Sequence, residues 1–475
     1  MEMNRRNLLK LGAVSAAATV TGVALTGCSK EAGAAAPAAA PAAAAPAAKL
    51  IGKHSVVVIG GGIGGLTVAN NLKKMRKDTD ILVIEKNDTF MSCPVSNTYI
   101  GKLKGMDLGT FIFDYAQPIE KHGYNWLTAE VQGIDREAKV IHTTKGAVGY
   151  DVLVLSPGIA YNYEAQFPTW SKEKIAHVKR TAPAALIPGH EHVVLERNLN
   201  NMDDGDVIIT IPSGKFRCPP APAERASMVA TFMKKEDIQG KVILMAEGGG
   251  FAKKAAFMES WKELFGDMIV FMPNTKVVDV DPASKKVTYE QQIGTGKKDE
   301  LGDEIMKAKA TTVGYQVLNL IPLNKANPVI TMAGLEVTKD TFGKVKMNGC
   351  SFQTATDANI YAVGDVVGHA IPPSGQTANW AGKECAKEIA ARLDNGSYKL
   401  PVEKTPVNAG NVCYSMVGDN PEEAIMVTHD FSWTGAVIKG KGHVPKDAAS
   451  GKFRSKGTAK ALRDWYRGLM ADLFA

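Results

Sequence analysis

A glycine motif directly after a predicted strand constrains the fold of this chain most. The stretch HSVVVIGGGIGGLTVANNLKKMRKDTDILVIEKN contains a buried β-run over residues 55–59 and then Gly60, Gly62 and Gly65 in GxGxxG spacing. A helix pattern follows, and a second strand ends at Glu85, twenty residues after the third glycine. Such glycines let the backbone approach a pyrophosphate, the helix N-terminus stabilises its charge, and the carboxylate accepts hydrogen bonds from ribose hydroxyls. The motif predicts a Rossmann-like unit that binds a dinucleotide.

Two later segments favour FAD over NAD as this dinucleotide. YDVLVLSPG, residues 150–158, predicts a strand that enters a tight Pro-Gly turn. NIYAVGDV, residues 359–366, predicts a buried strand that brings Asp365 to the ribityl chain and phosphates. The helix that follows would direct backbone amides at the flavin ring, and we assign Ser374 and Asn379 near its start to cofactor binding. Both segments match the way in which flavin-disulfide-reductase-like folds complete a flavin domain.

We therefore expect an α/β fold with two Rossmann-like dinucleotide-binding domains and a C-terminal α+β interface domain. About 420 residues follow the N-terminal low-complexity region, a length that fits two or three domains. The FAD domain is expected to be discontinuous, with the second domain inserted into it. The expected boundaries are 1–28 for an export signal, 29–52 for an Ala/Pro-rich tether, 53–166 and 313–396 for the FAD domain, 167–312 for the second domain, and 397–475 for the C-terminal domain.

The N-terminus predicts export and lipid attachment. NRRNLLK, residues 4–10, carries paired arginines, and the apolar run that follows is too short and too rich in small residues to span a membrane comfortably. It ends in LTGC, which resembles a lipobox and would leave Cys28 as the lipid-bearing first residue. We expect a periplasmic or cell-envelope lipoprotein that is exported by the twin-arginine route and meets the membrane only through its lipid anchor.

The loop of the second Rossmann-like unit lacks the features of a nucleotide site. The strand DVIITIP leads into SGKFRCPPAPAERASM, where Arg217, Cys218 and prolines stand in place of a glycine-rich turn. Side chains block this loop, and its prolines have no amide to donate to a phosphate. The sequence EGGG, residues 247–250, follows the second strand and is misplaced for that role. The loop argues against NAD(P)H as the reductant.

Several motifs carry a resemblance to a known family. They are VVVIGGGIGGLTVAN, SCPVSNTYIG, FRCPPAPAERAS, LNLIP with MAGL, VGDV, PPSGQTAN and NVCYS. From about residue 53 onward the sequence resembles the flavoprotein subunit of flavocytochrome c sulfide dehydrogenases, which are related to sulfide:quinone oxidoreductases. Residue by residue, the resemblance implies a thioether from Cys93 to FAD, a redox-active pair of Cys218 and Cys413, and Glu224 as the active-site base. It also implies sulfide or polysulfide as substrate and a c-type cytochrome subunit or soluble cytochrome c as electron acceptor.

Thiol chemistry supports these implied roles. Hydrosulfide can attack an oxidised cysteine pair and leave a persulfide on one sulfur and a thiolate on the other. We expect Arg217 to favour the thiolate of Cys218, and Glu224 to manage protons. We also expect the pair to matter more for activity than for folding. Ala221 and Ala223 stand where the family commonly has glycine and an aromatic residue, which could admit a larger thiol or polysulfide.

Two other functions remain open at this point. A sulfide:quinone oxidoreductase would exploit lipid tethering and the C-terminal ALRDWYRGLMADLF helix, although we expect residues 465–474 to pack on the flavin domain or a subunit interface. A tethered, non-catalytic flavin electron carrier would keep its redox activity when Cys413 is replaced by serine. An NAD(P)H-dependent disulfide reductase fits least, because of the blocked loop.

The remaining features indicate no further cofactor. The net charge of +7 has no basic run except GKFRSKGTAKALR, which we interpret as a solvated surface or a docking face for an acidic partner and not as a nucleic-acid site. The chain contains no CxxCH, so it binds no c-type haem covalently. His190 and His192 have metal-like spacing but no third ligand nearby, and we expect a solvated loop and no metal. Cys385 is interpreted as a core residue, and Cys350 receives no role.

Overall fold

The computed structural model describes residues 49–396 and 409–475. The predicted signal with Cys28, most of the tether, and the first residues of the predicted C-terminal domain lie outside the described residues. The strands are β1 Leu50–Ile59, β2 Ile81–Glu85, β3 Thr89–Met91, β4 Ile112–Asp114, β5 Asn125–Thr128, β6 Val131–Asp135, β7 Val140–Thr143, β8 Gly146–Leu155, β9 Ile159–Tyr161, β10 Val207–Ile211, β11 Val242–Ala246, β12 Ile269–Met272, β13 Thr275–Asp281, β14 Lys286–Lys298, β15 Glu304–Gly314, β16 Val317–Asn319, β17 Asn324–Ala326, β18 Ile360–Ala362, β19 Gly410–Asp419, β20 Glu422–Trp433, β21 Ile438–His443 and β22 Arg454–Ser455. The α-helices are α1 Ile63–Met75, α2 Asn97–Ile100, α3 Ala116–His122, α4 Tyr163–Gln166, α5 Lys172–Thr181, α6 His190–Asn200, α7 Ala221–Lys235, α8 Lys254–Leu264, α9 Val329–Met332, α10 Gly375–Asn395 and α11 Lys456–Phe474.

The first sheet is assembled from distant parts of the sequence. Its strand order is β5-β2-β1-β8-β7-β6, and β18 pairs in parallel with β8. The pairs β1–β2 and β1–β8 are also parallel, as expected for a Rossmann-like unit. Ala69 and Leu72 of α1 are fully buried against this sheet, and Leu66 is fully buried against α11. Because β18 comes some two hundred residues after β8, the flavin-type unit is discontinuous in sequence.

Strand β1 begins earlier than the sequence indicated. It starts at Leu50, which pairs with Ala147, and Gly52 pairs with Val148. The expected tether over 29–52 therefore ends a few residues too late. The reason is that β8 begins at Gly146 and offers backbone partners to these otherwise exposed residues.

The second sheet has the predicted strand–loop–helix–strand order. Its strands run β12-β11-β10-β16, all in parallel, and the buried helix α7 connects β10 to β11. An antiparallel sheet of β13, β14 and β15 lies between β12 and β16 in sequence. Since β16 pairs with β10, the second unit extends beyond residue 312, where its expected boundary lay. The loop over residues 315–316 carries the chain back to the sheet, where the Gln316 amide donates to the Asp206 carbonyl.

The C-terminal region is an antiparallel sheet covered by a helix. Strands β19, β20 and β21 are sequential neighbours, and β22 pairs with β20. The buried face of α11 meets the first unit, where Phe474 stacks on Phe113 with ring centroids 4.8 Å apart. Part of the basic C-terminal run is paired internally, since Arg454 contacts Glu263 and Glu423 at 2.7 Å. Among the described residues, no helix combines the length and apolarity needed to cross a bilayer.

A carboxyl group is buried in the core beside α10. Both oxygens of Glu388 accept hydrogen bonds from the Phe352 amide, at 3.0 and 3.3 Å. Burial raises the pKa of Glu388 to about 8, because the charged form loses its hydration there. The neighbouring Cys385 is fully buried, as expected for a core residue.

Replacing Glu388 with glutamine should remove a pH dependence of stability. The carboxyl stays protonated in the folded chain but ionises in the unfolded chain above its ordinary pKa. Wild-type stability should therefore fall from about pH 4.5 towards pH 8, by up to roughly 1.4 kcal/mol per pH unit. Urea unfolding of both proteins at pH 5 and pH 8 measures this, and Glu120→Gln, at an exposed position of α3, is the control. A variant that loses stability between these pH values as steeply as the wild type would contradict the buried, protonated state.

Candidate active site

The glycine motif forms a turn that leaves space for a pyrophosphate. A Cβ atom on Gly60, whose φ is +106°, would lie 2.3 Å from the Ser156 carbonyl oxygen, and one on Gly65 would lie 1.9 Å from the Gly60 oxygen. A Cβ atom on Gly62 would meet nothing within 4 Å. Gly62 is also the N-cap of α1 and provides no side chain to cap it. The first and third glycines are thus required by the polypeptide itself, whereas the second opens onto the helix N-terminus.

The two predicted carboxylates approach this space from different strands. Glu85 ends β2, and its Oε2 accepts a hydrogen bond of 2.7 Å from the Gly61 amide. Asp365 lies in a single 3₁₀ turn after β18 and forms an ion pair with Arg217, with Nε and Oδ2 3.3 Å apart. The residues present therefore fit a bound FAD, with one carboxylate beside the glycine turn and one at the carboxyl end of the sheet.

The start of α10 is shaped by Ser374. Its Oγ caps the helix by accepting a hydrogen bond from the Thr377 amide at 3.2 Å, and donates to Asn411 Oδ1 at 2.7 Å. Asn379, one turn later, donates from Nδ2 to Thr67 Oγ1 and to Asp472 Oδ2, at 3.1 and 2.9 Å. The Asn379 amide thus connects α10 to α1 and α11, and its contact with the cofactor stays a prediction.

The Cys218 loop is fixed between the two units. Cys218 has a φ of +51°, and its amide donates to the Pro373 carbonyl at 3.1 Å. The preceding amide, of Arg217, donates to Asn324 Oδ1 at 3.1 Å. The first bond holds the loop against the turn before α10, where the sequence predicted the flavin ring, and the second holds it against β17.

Cys93, Cys218 and Cys413 are free thiols that interact electrostatically with one another. Burial raises the pKa of all three, and Cys93 and Cys413 both raise the pKa of Cys218 further. Arg217 lowers the pKa of Cys218, as expected, but its effect is smaller than the effect of burial. The pKa of Cys218 therefore lies well above its ordinary value, although Arg217 favours the thiolate in the expected direction.

Glu224 lies in the first turn of α7 and is buried. Its Oε1 accepts from the Met416 amide and its Oε2 from Asn97 Nδ2, both at 2.8 Å. Burial raises the pKa of Glu224, and these two hydrogen bonds oppose the shift. The carboxyl group thus joins α7 to the Cys413 strand and to the segment that follows Cys93.

Two buried cations near the cysteines were missed by the sequence analysis. Arg225 is fully buried and donates to the Ala184 carbonyl, the Asn319 side chain and Asn97 Oδ1 at 2.9 to 3.0 Å. Lys253 is also buried and donates to the Cys413 carbonyl. Arg225 follows Glu224 in the quoted motif, which was the available signal, whereas no local pattern marks Lys253.

The expected solvated loop around His190 and His192 is wrong. Both residues begin helix α6, and His192 is fully buried with its Nε2 3.1 Å from Ser96 Oγ. Burial holds the pKa of His192 well below its usual range. The His-x-His spacing did not predict this, because His192 is buried by contact with Ser96 in the segment that follows Cys93. Within residues 49–396 and 409–475, no three His, Cys, Asp or Glu side chains are grouped to hold a metal ion.

Comparison with known proteins identifies the family. Residues 192–300 match the central region of the sulfide dehydrogenase (flavocytochrome c) flavoprotein chain, and residues 406–474 match the flavocytochrome c sulphide dehydrogenase flavin-binding model. These two matches indicate the flavoprotein chain of flavocytochrome c sulfide dehydrogenases. Residues 54–191 match the pyridine nucleotide-disulphide oxidoreductase model. Together, these matches identify the protein as an FAD-dependent oxidoreductase that acts on sulfur compounds.

Relatives and solved structures agree with this placement. The sulfide-quinone reductase of Aquifex aeolicus is 28% identical over 338 residues, which are 68% of this chain and 70% of that protein. The mitochondrial sulfide:quinone oxidoreductase of Dictyostelium discoideum is 22% identical over 67% of this chain and 66% of its own length. The crystal structure of the Aquifex aeolicus sulfide:quinone oxidoreductase has a TM-score of 0.63 at 19% identity, covering 88% of this chain and 91% of that one. An NAD-dependent persulfide reductase from A. fulgidus has a TM-score of 0.56 at 16% identity, covering 88% and 77%. These structures support the shared fold.

Alanine substitutions at two glycines should separate cofactor binding from folding. Gly62→Ala meets no protein atom but fills the space beside the helix N-terminus, so the apoprotein should keep its thermal stability and lose FAD affinity by tenfold or more. Gly65→Ala places a Cβ against the Gly60 carbonyl and should destabilise the fold by about 2 kcal/mol or more. Thermal unfolding of the apoproteins and FAD titration measure the two effects. Normal FAD affinity in Gly62→Ala would contradict a pyrophosphate at this position.

Proposed function

We propose that this chain oxidises sulfide at a redox-active pair of Cys218 and Cys413 and passes the electrons through FAD to a c-type cytochrome. The observation that carries the proposal is the convergence of three elements. The Cys218 loop is bound to the turn before α10, Cys413 lies within electrostatic reach of Cys218, and Glu224 raises the pKa of both thiols. A nucleophilic sulfur substrate would meet a disulfide and a proton carrier at one place.

The proposed first step is thiol–disulfide exchange. Hydrosulfide attacks one sulfur of the oxidised pair, a new S–S bond forms, and the bond between Cys218 and Cys413 breaks. One cysteine then carries a persulfide and the other a thiolate, so atoms and charge balance. Glu224 is suited to accept the persulfide proton, since its raised pKa allows proton exchange closer to neutral pH. Bound FAD supplies the two-electron acceptor for the sulfur.

A covalent link from Cys93 to FAD is supported by its position. Cys93 interacts electrostatically with Arg217 and Asp365, which sit at the predicted cofactor face. Its carbonyl accepts a hydrogen bond of 2.7 Å from Ser96 Oγ, which holds the turn in place. The same turn brings Asn97 to Glu224, so the attachment point and the proton carrier belong to one hydrogen-bonded unit.

A separate c-type cytochrome, as a subunit or a soluble protein, fits the rest of the sequence. The chain has no CxxCH motif for a haem of its own. The N-terminal twin-arginine and lipobox motifs support export as a lipoprotein to the periplasm or cell envelope, with contact to the membrane through Cys28. A quinone acceptor is the second candidate, because the Aquifex aeolicus relative is a sulfide-quinone reductase.

Sulfide should bleach the flavin of the oxidised protein under anaerobic conditions, whereas NADH should not. Cys218→Ser and Cys413→Ser should each slow bleaching by at least a hundredfold, because the disulfide cannot form. Stopped-flow absorbance of the holoprotein measures this, and Cys350→Ser serves as a control away from the pair. Wild-type bleaching rates in both serine variants would contradict the cysteine mechanism. Bleaching by NADH would contradict the expectation that the second unit binds no nucleotide.

The acceptor is tested on the sulfide-reduced protein. Reoxidation by cytochrome c at a rate that exceeds reoxidation by a soluble quinone analogue supports the proposal. The opposite order would assign the chain to quinone reduction.

Glu224→Gln should slow the sulfide half-reaction by about a hundredfold or more, because proton transfer by a positioned group is lost. In the wild type, the rate per hydrosulfide ion should rise with pH as the raised pKa of Glu224 is passed and the carboxylate becomes able to accept a proton. Rates are referred to hydrosulfide because hydrogen sulfide itself ionises near neutral pH. The variant should lack this rise. Stopped-flow rates from pH 5 to pH 9 compare it with Glu236→Gln, an exposed control just after the same helix. A variant profile that keeps the wild-type rise would assign the ionisation to another group.

A further inference from the structure

Lys253 occupies an unusual position beside Cys413. It precedes helix α8 in the left-handed conformation, with a φ of +62°, and only 9% of its surface is exposed. Its Nζ donates to Ser415 Oγ at 2.7 Å and to the Cys413 carbonyl at 3.3 Å, both on β19. The ammonium also lies 5.8 Å from the centroid of the Phe257 ring. The Lys253 side chain thus extends from the second unit to the strand that carries Cys413.

The charges around Cys413 make this contact informative. Burial raises the pKa of the Cys413 thiol, Lys253 gives the largest opposing effect, and Glu224 and Cys93 add to the increase. Cys218 also lies within electrostatic reach. Arg217 lowers the pKa of Cys218 and of Cys93, and Lys253 acts on neither of them. Each cysteine of the pair therefore has its own cation, and the cation of Cys413 is Lys253.

We propose that Lys253 is a positioning residue that stabilises the anion formed at Cys413 during sulfide oxidation. The inference rests on the proposed function and adds to it a group that the cysteine motifs do not contain. It holds for attack at either sulfur. When hydrosulfide bonds to Cys218, the electron pair of the broken S–S bond leaves on Cys413 as a thiolate. When it bonds to Cys413, that residue carries the persulfide, which is acidic and transfers its proton to Glu224, so the persulfide anion lies beside the ammonium.

The alternative is a purely structural role, in which Lys253 only holds β19 against α8. Glutamine can still donate hydrogen bonds to Ser415 and the Cys413 carbonyl, so Lys253→Gln removes the charge and keeps donors. Lys253→Arg restores the charge. Lys254→Gln makes the same charge change at the next residue, whose Nζ donates to the Gly249 carbonyl at 3.1 Å instead. These variants separate the charge from the hydrogen bonds.

The direct test measures the Cys413 thiolate without turnover. The reduced holoproteins are treated anaerobically with iodoacetamide from pH 6 to pH 10, and alkylation of Cys413 is followed by peptide mass spectrometry. At each pH below the midpoint, alkylation of Cys413 in Lys253→Gln should be about tenfold slower than in the wild type, which corresponds to an upward shift of the thiol pKa by about one unit. Lys253→Arg should return towards the wild type, and Lys254→Gln should match it. A Lys253→Gln profile that coincides with the wild type would overturn the proposal.

A second measurement covers the oxidised pair. Each protein is equilibrated at a fixed ratio of reduced to oxidised glutathione, and the Cys218–Cys413 disulfide is quantified after acid trapping. At a pH above the wild-type alkylation midpoint, where reduced Cys413 is a thiolate, loss of its stabilisation should raise the disulfide fraction in Lys253→Gln, and equal fractions there would also count against the proposal. Sulfide bleaching is assayed separately on the same wild-type preparation. Its absence would contradict the proposed function, whereas the alkylation profiles would still decide the role of Lys253.

Discussion

The attachment of the Cys218 loop to the turn before α10 is the constraint on which the site depends. The Cys218 amide bonds to the Pro373 carbonyl, and the Arg217 guanidinium pairs with Asp365. These contacts join a loop of the second Rossmann-like unit to the turn after β18 and to the turn before α10. The loop is attached at one end to β10 and at the other to α7. The position of the Cys218 sulfur is therefore fixed by the second sheet. A mobile loop could carry a cysteine too, but it could not keep it at a fixed distance from the predicted flavin position.

Burial sets the electrostatic character of the site. It raises the pKa of Cys93, Cys218 and Cys413 together, so the reduced thiols are held mainly in their neutral form. A neutral thiol is a poor nucleophile, which suits a centre that is attacked as a disulfide and not one that attacks. The anion appears only after the substrate has opened the bond. Preorganised cations are then most effective, because water that would otherwise solvate the new charge is excluded.

The parts of the fold that could be predicted follow from local pattern. The glycine motif, α1 and the start of α10 were readable because each combines a periodicity with a backbone requirement, such as the positive φ of Gly60. The boundaries of the two units were harder to predict. Strand β16 pairs with β10, although the whole antiparallel sheet β13–β15 lies between them in the sequence. The buried polar contacts could not be predicted for a similar reason. His192 meets Ser96 and Lys253 meets Ser415 only after folding, and neither pair leaves a spacing in the sequence.

Helix α7 explains why a Rossmann-like unit can serve sulfur chemistry. The N-terminus of such a helix carries a partial positive charge that normally stabilises a pyrophosphate. Here Pro219, Pro220 and Pro222 remove amide donors from that end, which disables phosphate binding without removing the field of the remaining peptide dipoles. Cys218 precedes the helix and Glu224 lies in its first turn, so both groups sit where this field favours a negative charge. The positive field at the N-terminus of α7, which in a nucleotide-binding unit would stabilise a pyrophosphate, thus favours the anionic forms of Cys218 and Glu224.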